Sequence, residues 1–304
     1  MPQKPHTKTI TIIIQARSGS SRLPHKVYAD ICGKPLIAHV ISRAKANIMT
    51  DSIILATTTI KDDEKLLQIA ENEGIAGFAG SPDDVLDRYY RAAKKTEAQY
   101  IIRITGDCPL IDPQVIDEVI AFMLANKGRC DYVATPHTYP EGLDVEIFTR
   151  RALETAWKNA VKKSEREHVT PYIKNHPELF QICGIGKKEK KSEEDFSSYH
   201  WSVDKPQDMV FVRAIYRHLY KPETLFYKDD VIKLLKEQPE LLEINKGLTG
   251  YEGYAKSVKE DINQNRKLLH CSIVSLLITL SFLSSHESRE STRHLPSRGV
   301  TLQQ

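Results

Sequence analysis

The chain has 304 residues, 40% of them hydrophobic, enough to bury a substantial core, and its 43 Lys and Arg barely outnumber its 40 Asp and Glu. A formal charge of +3 excludes a bulk electrostatic case for nucleic acid, so any anion must be bound locally. The five cysteines, Cys32, Cys108, Cys130, Cys183 and Cys271, form neither a CxxC pair nor a zinc spacing, so reduced thiols and a cytoplasmic location are expected.

Residues 1–8 are polar, lack the apolar core of a secretion signal and read as a flexible N-terminus. The run Thr9 to Ile14 then reads as a buried strand that empties into Gln15-Ala16-Arg17-Ser18-Gly19-Ser20-Ser21-Arg22-Leu23-Pro24-His25-Lys26. Three cations within ten residues, among small residues that let backbone N–H groups converge, suit an oxyanion such as a triphosphate. An ordinary solvated turn with surface cations has the same composition, and the Walker pattern GxxxxGK[ST] is absent. Further β-rich runs follow at Ser52 to Ala56, Tyr100 to Ile104 and Tyr132 to Ala134. Amphipathic helical stretches separate them: Pro35 to Asn47, Asp62 to Asn72, Pro82 to Lys94 and Pro113 to Asn126. This alternation predicts an α/β fold, a mainly parallel sheet covered on both faces, with ligands beyond the strands' C-terminal ends.

The Tyr100 strand runs into Thr105-Gly106-Asp107-Cys108-Pro109-Leu110, presenting a carboxylate at the sheet's edge. Asp107 suits a nucleotide-bound Mg²⁺ and equally suits a turn. Strands are expected near Leu179 to Ile185 and Tyr199 to Val203, joined by a solvated charged loop from Lys187 to Glu194. In Trp201-Ser202-Val203-Asp204-Lys205-Pro206 an acid again ends an apolar run, and a helix N-cap explains Asp204 as readily as a ligand does. Helices from Pro206 to Tyr220 and Lys228 to Glu237 close the compact unit. Trp157, Trp201 and His168 read as packing or hydrogen-bonded structural residues, and Cys108 shows no base that would make it a nucleophile.

Six of these motifs, in order, resemble the spore coat polysaccharide biosynthesis protein F family, itself similar to the acylneuraminate and 3-deoxy-manno-octulosonate cytidylyltransferases. They are Gln15 to Lys26, Ser81-Pro82-Asp83-Asp84-Val85-Leu86-Asp87-Arg88-Tyr89, Thr105 to Leu110, Tyr139-Pro140-Glu141-Gly142-Leu143-Asp144-Val145-Glu146, Glu167-His168-Val169-Thr170-Pro171-Tyr172 and Ser202 to Pro206. The resemblance spans Thr9 to Tyr220 and implies a three-layer α/β/α nucleotide-diphospho-sugar transferase fold over residues 9–245. It further implies a Mg²⁺-dependent transfer of CMP from CTP to a sugar, for surface polysaccharide. By motif position, Arg17, Lys26 and Asp107 would be catalytic, with Arg17 and Lys26 on the triphosphate. Ala16, Ser18, Gly19, Arg22, Ser81 and Asp84 would surround the nucleotide, and Asp107 and Asp204 would hold Mg²⁺. Asp144 and Glu146 would face the sugar, against a plainer reading of both as surface hairpin acids. A nucleotide-sugar-dependent glycosyltransferase and a lapsed nucleotide-binding assembly protein are the rival readings. The partners implied are CTP and a sugar acceptor, with a homodimer common among similar proteins. Residues 246–304 read as an extension whose apolar run, 268–283, suits a docking helix or a poorly ordered tail better than a membrane anchor.

Overall fold

The computed structural model describes residues 9–185, 195–250, 252–264 and 266. The expected flexible N-terminus at 1–8, the charged loop at 187–194 and the apolar run at 268–283 lie outside the described residues. The chain divides into two compact units, Met1–Tyr254 and Ala255–Gln304; in the second, residues 255–264 are helical. Among the described residues no helix is long and apolar enough to cross a membrane.

In the first unit β1 (Ile10–Gln15) leads through the cationic loop to a short hairpin, β2 (Asp30–Ile31) and β3 (Lys34–Pro35), and then α1 (Leu36–Lys45). There follow β4 (Ser52–Thr58), α2 (Glu64–Asn72), β5 (Ala76–Gly80), α3 (Val85–Thr96), β6 (Tyr100–Thr105) and α4 (Pro113–Ala125). The second half runs β7 (Tyr132–Ala134), β8 (Glu146–Thr149), α5 (Arg150–Asn159), α6 (Lys163–His168), α7 (Pro171–Asn175), β9 (Ile182–Gly184), α8 (Pro206–Leu219) and α9 (Lys228–Glu237). The main sheet has the order β5-β4-β1-β6-β8-β7-β9. Its first four strands are mutually parallel and β8 is antiparallel to both neighbours.

Alternate residues of β1 explain the layers. Ile12 and Ile14 enter one core with Leu36, Ile37, Val40 and Ile41 of α1, while Ile13 enters the other with Val85, Leu86 and Tyr89 of α3. A strand buried on both faces needs a continuous apolar run, which is how β1 reads. Helix starts follow local chemistry too: Asp84 and Asp112 cap α3 and α4 through the N–H groups of Asp87 and Gln114.

Three features depart from the sequence reading. Strand β5, Ala-Gly-Phe-Ala-Gly, carries weak β signal because small residues are needed there: a Cβ on Gly77 would lie 2.8 Å from Leu67 Cδ2. Tyr199 to Val203 forms no strand, because its hydrogen bonds are divided between two loops: Trp201 N–H donates to Glu141 O (2.7 Å) and Val203 N–H to Asp107 O (2.8 Å). The expectation of reduced thiols is corrected at Cys130 and Cys183, which form a disulfide between the β7 and β9 regions. Parallel pairing of those strands brings together cysteines 53 residues apart, a proximity that spacing alone does not reveal. Cys32 and Cys108 are free thiols.

Candidate active site

The cationic loop leaves the C-terminal end of β1, beside the ends of β4 and β6. Ala16 N–H donates to Ala56 O (3.1 Å) and Gly106 N–H to Gln15 O (2.7 Å). Position 106 must be glycine: a Cβ would come 2.8 Å from both Ala16 Cβ and Gln15 O. That close approach is what sets Asp107 beside the loop. Ser18 is buried and its N–H donates to Asp63 Oδ1 (2.7 Å), whose other oxygen accepts from Thr58 Oγ1. Arg17 and Gly19 are exposed at the rim, where Arg17 Nη1 lies 3.5 Å from Pro82 O.

Lys26 is 8% exposed, and its ammonium donates to Asp107 Oδ2 (2.8 Å), Asp204 Oδ1 (3.0 Å) and Val203 O (2.6 Å). Burial disfavours its charge, but the two carboxylates outweigh burial and raise its pKa. Burial likewise disfavours the Asp107 carboxylate, yet Lys26 wins and holds it down at about 2. Arg22 Nη2 donates to Asp204 Oδ1 (2.6 Å), while Arg22 Nη1 and Lys205 Nζ reach Glu252 at 3.2 and 2.7 Å. Asp107 and Asp204, 97 positions apart in sequence numbering, thus share one cation.

Asp204 is held from below. Asp208 Oδ2 accepts the N–H groups of Asp204 (3.0 Å) and Lys205 (2.7 Å), and its Oδ1 accepts from Asn245 Nδ2 (3.1 Å). His200 bridges Asp208 and Glu141; burial lowers its pKa, but both carboxylates overcome this and raise it to about 9. Gly142, at φ +104°, lets the 140–144 turn pass the 200–204 segment: a Cβ there would come 2.6 Å from Ser202 N.

The remaining predicted residues fall into different settings. Asp144 keeps exposed surface and accepts from Gly142 N–H (2.9 Å); partial loss of its hydration, then Glu141 and Glu146, raise its pKa. Glu146 does stand on the β7–β8 hairpin but is buried, not a surface acid. It lies on β8 opposite Arg103 of β6, with Nη1 at 2.6 Å, and also accepts from Tyr132 OH and Thr170 Oγ1 (2.8 Å), with Lys174 Nζ at 3.4 Å. Burial pushes its pKa up, but Arg103 and Lys174 outweigh burial and bring it to about 2. So many bonds make Glu146 a buried structural anchor. Ser81 Oγ accepts from the N–H groups of Asp83 (3.3 Å) and Asp84 (3.2 Å), and the Asp84 carboxylate is taken by Asp87 N–H and Arg166. Cys108 is buried beside Thr105, and burial raises its pKa well above the usual thiol range.

Asp63 and Glu252 join the site without having been singled out. Asp63 reads as one of a pair of helix N-terminal acids, and only its burial separates it from Asp62. Glu252 lies beyond the expected domain boundary at 245, whereas the first unit continues to Tyr254.

A parallel sheet with a cationic loop at its C-terminal edge and two carboxylates meeting there has counterparts among known proteins. Residues 11–265 match the family described as Cytidylyltransferase. The chain belongs to that family. An uncharacterized protein of Methanocaldococcus jannaschii is 37% identical over 235 residues, 77% of this chain and 93% of that one. Spore coat polysaccharide biosynthesis protein SpsF of Bacillus subtilis is 28% identical, covering 76% of this chain and 95% of that one. The solved structure of a cytidylyltransferase from Leptospira borgpetersenii superposes with a TM-score of 0.72 at 30% identity, over 81% of this chain and all of that one. The family match reaches well past Tyr220, so the 246–254 segment carrying Glu252 lies inside the cytidylyltransferase region.

Proposed function

We propose that this cytidylyltransferase moves CMP from CTP to a sugar hydroxyl. The hydroxyl oxygen attacks the α-phosphorus, the bond from that phosphorus to the β-phosphate oxygen breaks, and pyrophosphate leaves as the hydroxyl proton is lost. The cluster of Lys26, Asp107 and Asp204 carries this reading: two carboxylates converge on one cation beside a loop with Arg17 and Arg22. Among the described residues there is no cluster of three or more His, Cys, Asp or Glu fit for a metal. Two carboxylates completed by phosphate oxygens are the arrangement Mg²⁺ takes on nucleotides, and the Lys26 ammonium marks where a cation sits between them. Bound there, Mg²⁺ would neutralise charge on the phosphates.

Lys26 and Arg22 steady the triphosphate and the departing pyrophosphate, and Gly19 offers backbone at the loop, the N–H groups of Ala16 and Ser18 being spent on Ala56 O and Asp63. Catalysis then rests on positioning and electrostatics, with no covalent enzyme intermediate. Asp144 faces the acceptor, oriented by the Gly142 N–H. Relatives named 3-deoxy-manno-octulosonate cytidylyltransferase, such as that of Chloroherpeton thalassium at 36% identity over 196 residues, support an acidic sugar. The SpsF relative supports surface polysaccharide as the destination. The test is pyrophosphate release from CTP, UTP, GTP and ATP with a sugar panel and Mg²⁺. CTP-dependent release is expected; UDP release from a UDP-sugar, or nucleotide binding with no release under any condition, would overturn the reading.

A further inference from the structure

Arg88 is 2% exposed, yet neither its Nε nor its Nη1 has a hydrogen-bond partner. A buried guanidinium without acceptors is among the costliest groups a fold can carry, and such a group calls for an explanation. Other buried arginines here have direct acceptors: Arg43 donates to Ile111 O and Phe226 O, and Arg103, although its Nε is unpaired, binds Glu146 through Nη1. Arg88 has carboxylates within electrostatic reach in Asp63 and Asp84, but both are committed elsewhere, Asp63 to Ser18 and Thr58 and Asp84 to Asp87 and Arg166. Its charge is partly balanced while its Nε and Nη1 donors stay unpaired.

Its place in the fold narrows the ligand. The stem of Arg88 lies against the end of β5, where a Cβ on Gly80 would come 2.7 Å from Arg88 Cγ. From β5 across β4 and β1 to β6, and so to Asp107, is three strand steps, about 14 Å at the usual spacing of about 4.8 Å. One phosphate cannot touch both ends, but a nucleotide lying across the strand tips can, with its phosphates at Lys26 and its base at the far end.

We infer that Arg88 is the specificity residue that reads the pyrimidine, donating N–H groups to its acceptor edge; this rests on the CTP reading above. In cytosine both O2 and N3 are acceptors, whereas in uracil N3 carries a hydrogen. A buried group that only donates therefore matches cytosine and opposes uracil, and leaving its donors unmet penalises the wrong base.

The test is calorimetric titration of the full chain, as wild type, Arg88→Met and Arg88→Lys, with CTP, UTP and pyrophosphate in Mg²⁺, together with thermal unfolding without ligand. Arg88→Met should weaken CTP about tenfold or more and carry the CTP-over-UTP ratio toward one, because the matched hydrogen bonds are gone. Its pyrophosphate affinity should stay within about twofold, since charge at that distance is screened. Unfolding of Arg88→Met without ligand should occur at the same or a higher temperature, because a buried guanidinium with two unpaired donors has been replaced by an apolar stem. Arg88→Lys keeps the charge and loses the planar donors, so it too should lose the base preference. A parallel loss of pyrophosphate would make Arg88 a phosphate ligand and overturn the inference. A lowered unfolding temperature with all ligands weakened would make it structural and also overturn it. Wild-type binding of CTP with both variants unchanged would sink this inference alone, whereas wild type failing to bind CTP would sink the CTP reading with it.

Discussion

Replacing Asp107 with Ala removes one of two carboxylates that hold Lys26, and the structure sets the cost. The carboxylate stands at about 2 instead of the ordinary 3.8, its charged form being favoured by Lys26 in the folded chain. That shift is worth about 2 kcal/mol at neutral pH. A depressed carboxylate contributes stability that is complete above its unfolded value near 4 and fades as pH falls through about 2. Lys26 keeps Asp204 and Val203 O, so no charge is orphaned, and the loss is a fraction of the roughly 5–15 kcal/mol of a typical fold. The variant should therefore fold. Losing one of the two carboxylates that would hold the charge-neutralising Mg²⁺ should lower turnover by about 10²–10³-fold. Urea unfolding at pH 7, 5 and 3, with pyrophosphate release at pH 7, checks both halves. The gap in unfolding free energy should hold from pH 7 to 5 and narrow by pH 3. An Asp107→Ala protein with wild-type turnover, or a gap insensitive to acid, would refute the reasoning.

Three further outcomes separate neighbouring residues. Glu146→Gln leaves Arg103 uncompensated in the interior and should cost about 3–5 kcal/mol in chemical unfolding, while Asp144→Asn, which relieves repulsion from Glu141 and Glu146, should leave stability the same or higher and raise the KM for the sugar. The raised pKa of His200 means its contribution is complete below its unfolded value of 6.5 and is lost as pH rises through about 9. Unfolding free energy should fall by something on the order of 3 kcal/mol between pH 6.5 and 9.5, and His200→Ala should remove that slope. Reduction of Cys130–Cys183, which spans 53 residues, should cost about 4 kcal/mol by chain entropy and lower the melting temperature. Turnover below that temperature should persist, because the bond lies at the β9 edge, on the far side of the sheet order from Asp63 and Arg88.

Sequence alone determined the strand-helix alternation, the strands β1, β4, β6 and β7, and the cationic loop with its pair of candidate acids. These are local facts: a β-branched run buried on both faces and an amphipathic helix each declare themselves within a dozen residues. Only the tertiary structure decided which charges meet. Asp107 and Asp204 converge on Lys26 because Gly106 admits the β1 end beside β6 and Val203 bonds Asp107, contacts between distant segments that leave no periodic trace. The same holds for Glu146, which a turn-like motif presents as a surface acid and β-pairing turns inward against Arg103, and for Asp63, distinguished from Asp62 by burial alone. Periodicity encodes which face of an element is buried; the partner waiting on that face depends on how the elements cross.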